Sequence, residues 1–225
     1  MSTVSAIVSA YFAKDYLNNR IINLFGAKGV DVEPIVVCQA GSDEDMIASR
    51  YDVKVIRTLD IPTVGKAWNM GIRESTGDYI TTANSDDRYL IGGLKRMVEV
   101  LDAHQEIGLV FAQVDIDDGH EIVPWKRIDN KTGEIEDILA VLKRRCIVGP
   151  MPIWRKSIHD EVGLFDEKFV VASDYDMWLR MAGEGVGFYY INESCGVYMK
   201  RWNSLEHRHP IETRTESQEI RKVWA

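Results

Sequence analysis

Apolar residues recur in two alternating rhythms along the first hundred positions. Residues 4–10 (VSAIVSA) form a short run rich in Val and Ile, which predicts a strand buried on both faces. Residues 15–25 then place Leu17, Ile21, Leu24 and Phe25 at helical spacing, and Gly26 and Gly29 close that helix. Residues 33–38 (EPIVVC) predict a second buried strand, followed by a loop over 39–45 and a short helix to about Arg50. A strand over 53–57, a helix over 63–74, a strand over 79–83 and a helix over 93–104 complete this half. The last of these puts Leu94, Met97, Val98 and Leu101 on one face. Strand and helix in strict alternation predict an α/β fold with a mostly parallel, Rossmann-like central sheet flanked by helices.

The pattern becomes less regular after residues 105–107, where a soft boundary falls. Residues 108–114 read as a strand, and 121–125 as its hairpin partner across Asp117-Asp118-Gly119. A helix is expected over 135–144. Residues 147–154 carry two prolines and predict an irregular or edge strand. Short helices over 156–162 and 174–183, strands over 187–191 and 195–200, and a polar terminal helix or tail over 214–224 follow.

Composition narrows the class. Of 225 residues, 45% are hydrophobic and 28% charged, enough for a core without staples. The net charge of −8 argues against a general nucleic-acid binder, which would be basic. The short basic run Lys143-Arg144-Arg145 reads as a solvated helix end. Cys38, Cys146 and Cys195 are odd in number and far apart, which suits reduced thiols better than a disulfide framework or a zinc site. No signal peptide is visible, and the apolar runs fall well short of the ~18 residues a membrane span needs. A cytoplasmic location is expected.

Ligands of open parallel sheets bind beyond the C-terminal strand ends. Three loops gather there: Tyr11-Phe12, Gln39 to Asp43, and Asn84-Ser85-Asp86-Asp87. Two adjacent carboxylates at a strand end repel, and a hard cation would relieve that. The same pair also suits the N-cap and first turn of the following helix. Asp174 likewise suits either an N-cap or a chemical role.

The order of segments resembles the family 2 glycosyltransferases of GT-A fold. Ser9-Ala10-Tyr11-Phe12 stands where the family has a Thr-Tyr-Asn-like turn, and Gln39-Ala40-Gly41-Ser42 where it has Asp-Asp-Gly-Ser. Gly65 to Gly71, read as Gly-x-x-x-Asn-x-Gly, stands where the family has a helix of similar Gly, Asn and Gly spacing. Gly77-Asp78-Tyr79-Ile80 leads into Asn84-Ser85-Asp86-Asp87, the counterpart of an Asp-x-Asp-Asp loop. Gly163-Leu164-Phe165-Asp166 and Ser173-Asp174-Tyr175-Asp176-Met177-Trp178-Leu179-Arg180 match two later motifs. The match runs from about Thr3 to about His207.

The resemblance implies one GT-A domain over 1–225, with a nucleotide-sugar-binding half (1–105) and an acceptor and catalytic-base half (106–225). It implies a metal-dependent, inverting sugar transfer from a nucleotide-diphosphate sugar, with UDP favoured, to a hydroxyl acceptor such as a glycan or other cell-envelope or phage-type acceptor. Mn²⁺ or Mg²⁺ is the implied cofactor. Asp86 is the implied main metal ligand, with Asp87 beside it supporting the loop and His207 reaching the metal or diphosphate. Asn84 is placed on the ribose, Tyr11 and Gln39 on the base, and Arg201 on the diphosphate. Ala10, Ser42, Lys66, Asn69 and Ser85 fall in the matched donor-side segments. Asp174 is the implied catalytic base.

The chain departs from the family pattern in three places. Asn84 replaces an Asp, Gln39 and Ala40 replace two acids, and Ser173 replaces the Glu before Asp174. The loss of charge at Asn84 keeps a non-catalytic nucleotide-sugar or glycan-binding module open as an alternative. A sugar nucleotidyltransferase fits less well, because residues 9–16 contain no glycine and one lysine where a triphosphate loop is needed. Tyr198 to Trp202 resembles the Gln-x-x-Arg-Trp element of processive synthases, but Tyr holds the Gln position. Asp115 to Gly119 lacks calcium-loop spacing and reads as a hairpin turn. Trp125, Trp154 and Trp178 read as core residues.

Overall fold

The computed structural model describes residues 2–125, 128, 131–202 and 204–224. The first half runs β1 (Thr3–Ala10), α1 (Lys14–Phe25), β2 (Asp31–Gln39), α2 (Asp43–Ala48), β3 (Lys54–Thr58), α3 (Val64–Glu74), β4 (Tyr79–Thr82), β5 (Arg88–Tyr89) and α4 (Gly93–Ala103). The second runs β6 (Ile107–Asp117), β7 (Ile122–Trp125), β8 (Gly133–Glu134), α5 (Ile138–Arg144), β9 (Ile153–Arg155), α6 (Ile158–Val162), α7 (Ser173–Gly183), β10 (Gly187–Met199), α8 (Leu205–Arg208) and α9 (Pro210–Val223). The strands form one sheet in the order β3-β2-β1-β4-β9-β6-β10-β5, with β7 on β6 and β8 on β10.

Side chains alternate across the sheet and feed two cores. Ile7, Val37, Ile80 and Phe111 join α3, α5 and α7 on one face. Ala6, Val8, Val36 and Val110 join α1 and α4 on the other. Burial on both faces explains the unbroken Val and Ile runs. The register of β1 sets Ala10 beside Cys38 of β2, and Ile7 beside Thr82 of β4. The C-terminal ends of three parallel strands therefore open at one edge.

The second half corrects two expectations. The segment 147–154 was expected as an edge strand, yet β9 sits mid-sheet, antiparallel to both β4 and β6. Pro150 and Pro152 lie just before its ladder, so they remove no hydrogen bond from it. The two late strands are one strand, β10, with register shifts between Ile191 and Gly196 where the chain was expected to break. The hairpin β6–β7 forms as expected, its tip closed by Asp118 Oδ1, which accepts from the His120 and Glu121 N–H groups. The three cysteines are free, with Cys38 and Cys195 buried; burial pushes both thiols up to about 11. Lys143, Arg144 and Arg145 are exposed at the end of α5. Among the described residues no helix is long and apolar enough to cross a membrane.

The Gly-x-x-x-Asn-x-Gly helix is a packing device. A Cβ at Gly71 would stand 2.4 Å from Ile7 Cγ2, and one at Gly65 would stand 2.9 Å from Ser173 Oγ. Both glycines let α3 lie close, on β1 at one point and on α7 at the other. Ile7 is fully buried and has nowhere to move. Gly71→Ala is therefore expected to destabilise the fold by about 1–3 kcal/mol through overpacking. At about 2–4 °C per kcal/mol for this size, calorimetry should show a melting point several degrees lower. An unchanged melting point would mean that α3 and β1 are not in this contact.

Candidate active site

The C-terminal edge of the sheet holds a cavity of about 430 Å³. Ser9, Tyr11 and Phe12 enter it from the end of β1, and Asn84, Ser85 and Asp86 from the end of β4. Asp174, Tyr175 and Trp178 enter from α7, and Tyr198, Arg201 and Arg208 from beyond and along the end of β10. Phe12 adopts a φ of +56°, a strained conformation for a bulky side chain, and is 64% exposed beneath the Arg208 guanidinium.

The loop 83–87 is pinned at both ends. The Ala83 N–H donates to Ile7 O, and Arg88–Tyr89 pairs with Gly196 and Val197 of β10. Within it the two aspartates point opposite ways. Asp86 faces the cavity and accepts from Arg201 at 2.7 Å (Nε) and 2.5 Å (Nη2), while the same guanidinium lies 4.5 Å above the Tyr16 ring. Asp87 is only 1% exposed. Its Oδ1 accepts from the Met199 N–H at 3.0 Å and its Oδ2 from Asn84 Nδ2 at 3.1 Å.

Burial, reinforced by the neighbouring Asp86 charge, pushes the Asp87 carboxyl up to about 7; the Met199 N–H, Arg20 and Asn84 oppose that. Arg20 is itself fully buried behind the loop, over the Tyr89 ring at 4.9 Å, and donates to Asn23 Oδ1. Burial draws its pKa down, and Tyr89, Asp87 and Asp86 hold it up. Sequence reasoning missed Arg20, although its position three after Leu17 and four before Leu24 places it on the apolar stripe of α1.

These placements correct the expected metal set. Asp87 takes no part in the cavity wall, because both its oxygens are spent inside the protein. His207 is exposed, bonds Ser204 Oγ through Nδ1 at 2.7 Å and lies outside the cavity lining. Among the described residues no group of three His, Cys, Asp or Glu side chains could hold a metal ion. The residues present still suit Mg²⁺ or Mn²⁺, which take one or two carboxylates and complete their shell with water and substrate phosphate. Asp86 is the carboxylate of the cavity's strand-end loop that could serve, and Ser85 lines the cavity with it.

The donor-side expectations divide. Tyr11 lines the cavity, half-buried, and shares a 2.9 Å hydrogen bond with Thr58 Oγ1; desolvation raises its phenol pKa. Asn84 and Ser85 also line it. Gln39 donates to Leu59 O and stays outside the wall, as does Ser42, which caps α2 by accepting from the Asp45 N–H. Ala10 is fully buried in β1, and Lys66 is exposed on α3 away from the cavity. Asn69 is 1% exposed and committed elsewhere: it donates to Phe165 O and Glu167 Oε1 and accepts from the Phe165 N–H. It clamps α3 to the Gly163–Asp166 turn and has no capacity left for a ligand.

Asp174 is the second residue of α7, and its Oδ1 accepts from the Tyr175 N–H at 2.7 Å. The helix beneath it is held firmly. Tyr175 donates to Leu142 O, and Arg180 donates to Val162 O and Leu164 O. Trp178 packs edge-on against Trp154 at 5.4 Å. Trp154 and Trp178 are core, as expected, with Trp178 also reaching the cavity wall, whereas Trp125 is half-buried and lines it. Asp86 and Asp174 are the only acids among the described residues that line the cavity, and no histidine or lysine joins them.

The molecule resembles solved enzymes across its whole length. The structure of Staphylococcus aureus TarS 1–349 in complex with UDP-GlcNAc superposes with a TM-score of 0.80 at 17% identity, covering 100% of this chain and 66% of that one. TarS 1–349 in complex with UDP gives 0.75 at 18% identity over 99% of this chain. Among sequences, an uncharacterized glycosyltransferase of Rickettsia prowazekii is 26% identical over 184 residues, which is 79% of this chain and 58% of the relative. One from Methanocaldococcus jannaschii is 24% identical over 200 residues, or 84% of this chain and 68% of the relative. The chain thus spans less than two thirds of the Rickettsia relative and of TarS. Residues 5–163 match the model of the family described as glycosyl transferase family 2. With that match over most of its length, and the GT-A fold beneath it, the chain belongs to glycosyl transferase family 2.

Proposed function

We propose that the chain transfers a sugar from a nucleotide-diphosphate sugar, UDP-linked by preference, to a hydroxyl acceptor, with a divalent cation and with inversion at the anomeric carbon. One observation carries this reading: among the described residues the cavity wall holds two acids, and they are differently placed. Asp86 is paired with Arg201 at the strand edge, and Asp174 heads a helix on the other wall. The similar TarS structures, solved in complex with UDP and UDP-GlcNAc, support the choice of nucleotide.

A cation held by Asp86 would neutralise the departing diphosphate as the glycosidic bond breaks. Arg201 lines the same cavity and offers the diphosphate a fixed positive charge. Tyr11 and Phe12 offer ring faces to the base. Asp174 accepts the proton of the attacking hydroxyl, and its singleness predicts direct displacement. A purely binding module needs no second carboxylate on the far wall, which is why the transferase reading is preferred. A glycan acceptor in the cell envelope fits the sugar-transfer chemistry.

Thermal shift with UDP, GDP, CDP and dTDP, each with Mn²⁺, Mg²⁺ or EDTA, tests the donor site. UDP at ~100 times its dissociation constant is expected to add about 2.7 kcal/mol, only when metal is present. Asp86→Ala should abolish that gain. Stabilisation in EDTA equal to that in Mn²⁺ would overturn the metal dependence.

Asp174→Asn tests the base. It should bind UDP within about threefold of wild type, while UDP release from UDP-GlcNAc falls roughly 10²–10⁴-fold. Undiminished turnover would remove Asp174 from the chemistry, and a wild type that binds but never turns over would favour the binding module.

Burial of Asp87 sets a third expectation. Its folded pKa of about 7 lies above the ordinary 3.8, so the folded chain holds a proton that the unfolded chain releases. Its contribution to stability is therefore present below about pH 4 and lost as pH rises to about 7. Relative to wild type, Asp87→Asn should gain melting temperature between pH 5 and pH 8 in metal-free buffer. A constant difference would mean that Asp87 does not titrate in this window.

A further inference from the structure

The C-terminal helix α9 is fastened to the start of α7 by one side chain. Glu216 is 9% exposed, although it sits on a helix that is otherwise largely polar. Its Oε1 accepts from the Val170 N–H at 2.8 Å, and its Oε2 accepts from the Val171 and Ala172 N–H groups at 2.9 Å each. Three consecutive backbone donors thus converge on one carboxylate. They belong to the three residues that lead into α7, and Asp174 is two residues beyond the last of them.

The rest of α9 follows the same path. Ile220, one turn after Glu216, is buried in the core cluster that contains α7. A Cβ at Gly183, the last residue of α7, would stand 2.7 Å from the Trp224 ring. The helix is therefore held along the length of α7, from its entry to its end. Thr213 and Ser217, flanking Glu216, turn into the cavity.

The geometry points to Glu216 as a positioning residue for Asp174. Ala172 is 6% exposed, so water cannot readily replace the carboxylate at its N–H. Without Glu216 the entry segment must rearrange to satisfy three donors, and Asp174 moves with it. Displacement of about 1 Å at a reacting group costs about 10² in rate. Ser173 cannot take over this role: its side chain is fully buried against α3, where Gly65 leaves room for a hydroxyl and no more. The inference rests on Asp174 being the base, and its test separates the two.

Glu216→Ala, Glu216→Gln and Asp174→Asn are compared with wild type, using UDP-GlcNAc hydrolysis with Mn²⁺ as the turnover probe and UDP titration for affinity. Glu216→Ala is expected to lower kcat roughly 10²-fold while UDP affinity stays within about threefold. Glu216→Gln, which keeps one acceptor oxygen, should recover part of the loss. Formate, a carboxylate small enough for the vacated place, should restore part of the Glu216→Ala rate and none of the Asp174→Asn rate.

Amide exchange over residues 170–176 is followed in parallel, with faster exchange expected in Glu216→Ala and wild-type protection in Asp174→Asn. Equal kcat in Glu216→Ala and wild type, with Asp174→Asn inactive, overturns the positioning role and leaves the base intact. Loss in Glu216→Ala with full activity in Asp174→Asn overturns both. Unchanged exchange over 170–176 overturns the positioning role even if the donor is not turned over. If Glu216→Ala does not fold, the kcat and exchange of Glu216→Gln decide by the same criteria.

Discussion

The active edge of this enzyme depends on one hydrogen bond between a buried carboxylate and a backbone N–H. Asp87 Oδ1 accepts from Met199 at the end of β10, which ties the loop after β4 to a strand three places away in the sheet. Arg201 follows Met199 by two residues, and this tie brings its guanidinium onto Asp86. The α8 and α9 segments leave from the same point and close the cavity with Leu205, Arg208, Thr213 and Ser217. The join between the strand-end loop and the second half thus includes, beside the β5–β10 pairing, a carboxylate that takes no part in the cavity wall.

Such a bond is costly to arrange, because a carboxylate without solvent resists ionisation. The chain meets that cost with Arg20, brought up from α1 beneath the Tyr89 ring. A second arginine, Arg201, balances Asp86 on the exposed side. Adjacent aspartates are thereby separated into one that holds the loop and one that faces ligand, each with its own cation. The Asp-Asp pair is thus balanced by cationic side chains of the protein itself. Asn84 serves as a neutral donor to Asp87, where another carboxylate would add repulsion.

The first half of the fold was legible in the sequence, because strands buried on both faces and helices buried on one leave unmistakable periods. The site was legible where a residue sits at a parallel strand end, as do Tyr11, Asn84, Ser85 and Asp86. It was misread where one motif serves packing. Gly65, Asn69 and Gly71 recur at fixed spacing because α3 touches β1, α7 and the Gly163–Asp166 turn, and that spacing looks the same as a binding motif. The mid-sheet place of β9 was hidden by its prolines, which precede the ladder by three residues and one. Glu216 gave no local sign at all, since its partners lie 44–46 residues away in sequence.

The substitution at Ser173 becomes intelligible on the same grounds. A Glu there could not enter the contact between α3 and α7, where even the Ser hydroxyl lacks a partner within the protein. The entry to α7 still needs an acceptor for its N–H groups, because the segment is too buried to use water. In this chain that acceptor comes from α9, so α7 and the C-terminal helix are held as one body. The same helix presents Thr213 and Ser217 to the cavity, so under the positioning role proposed for Glu216 a change on α9 that reshapes the cavity would also reach Asp174.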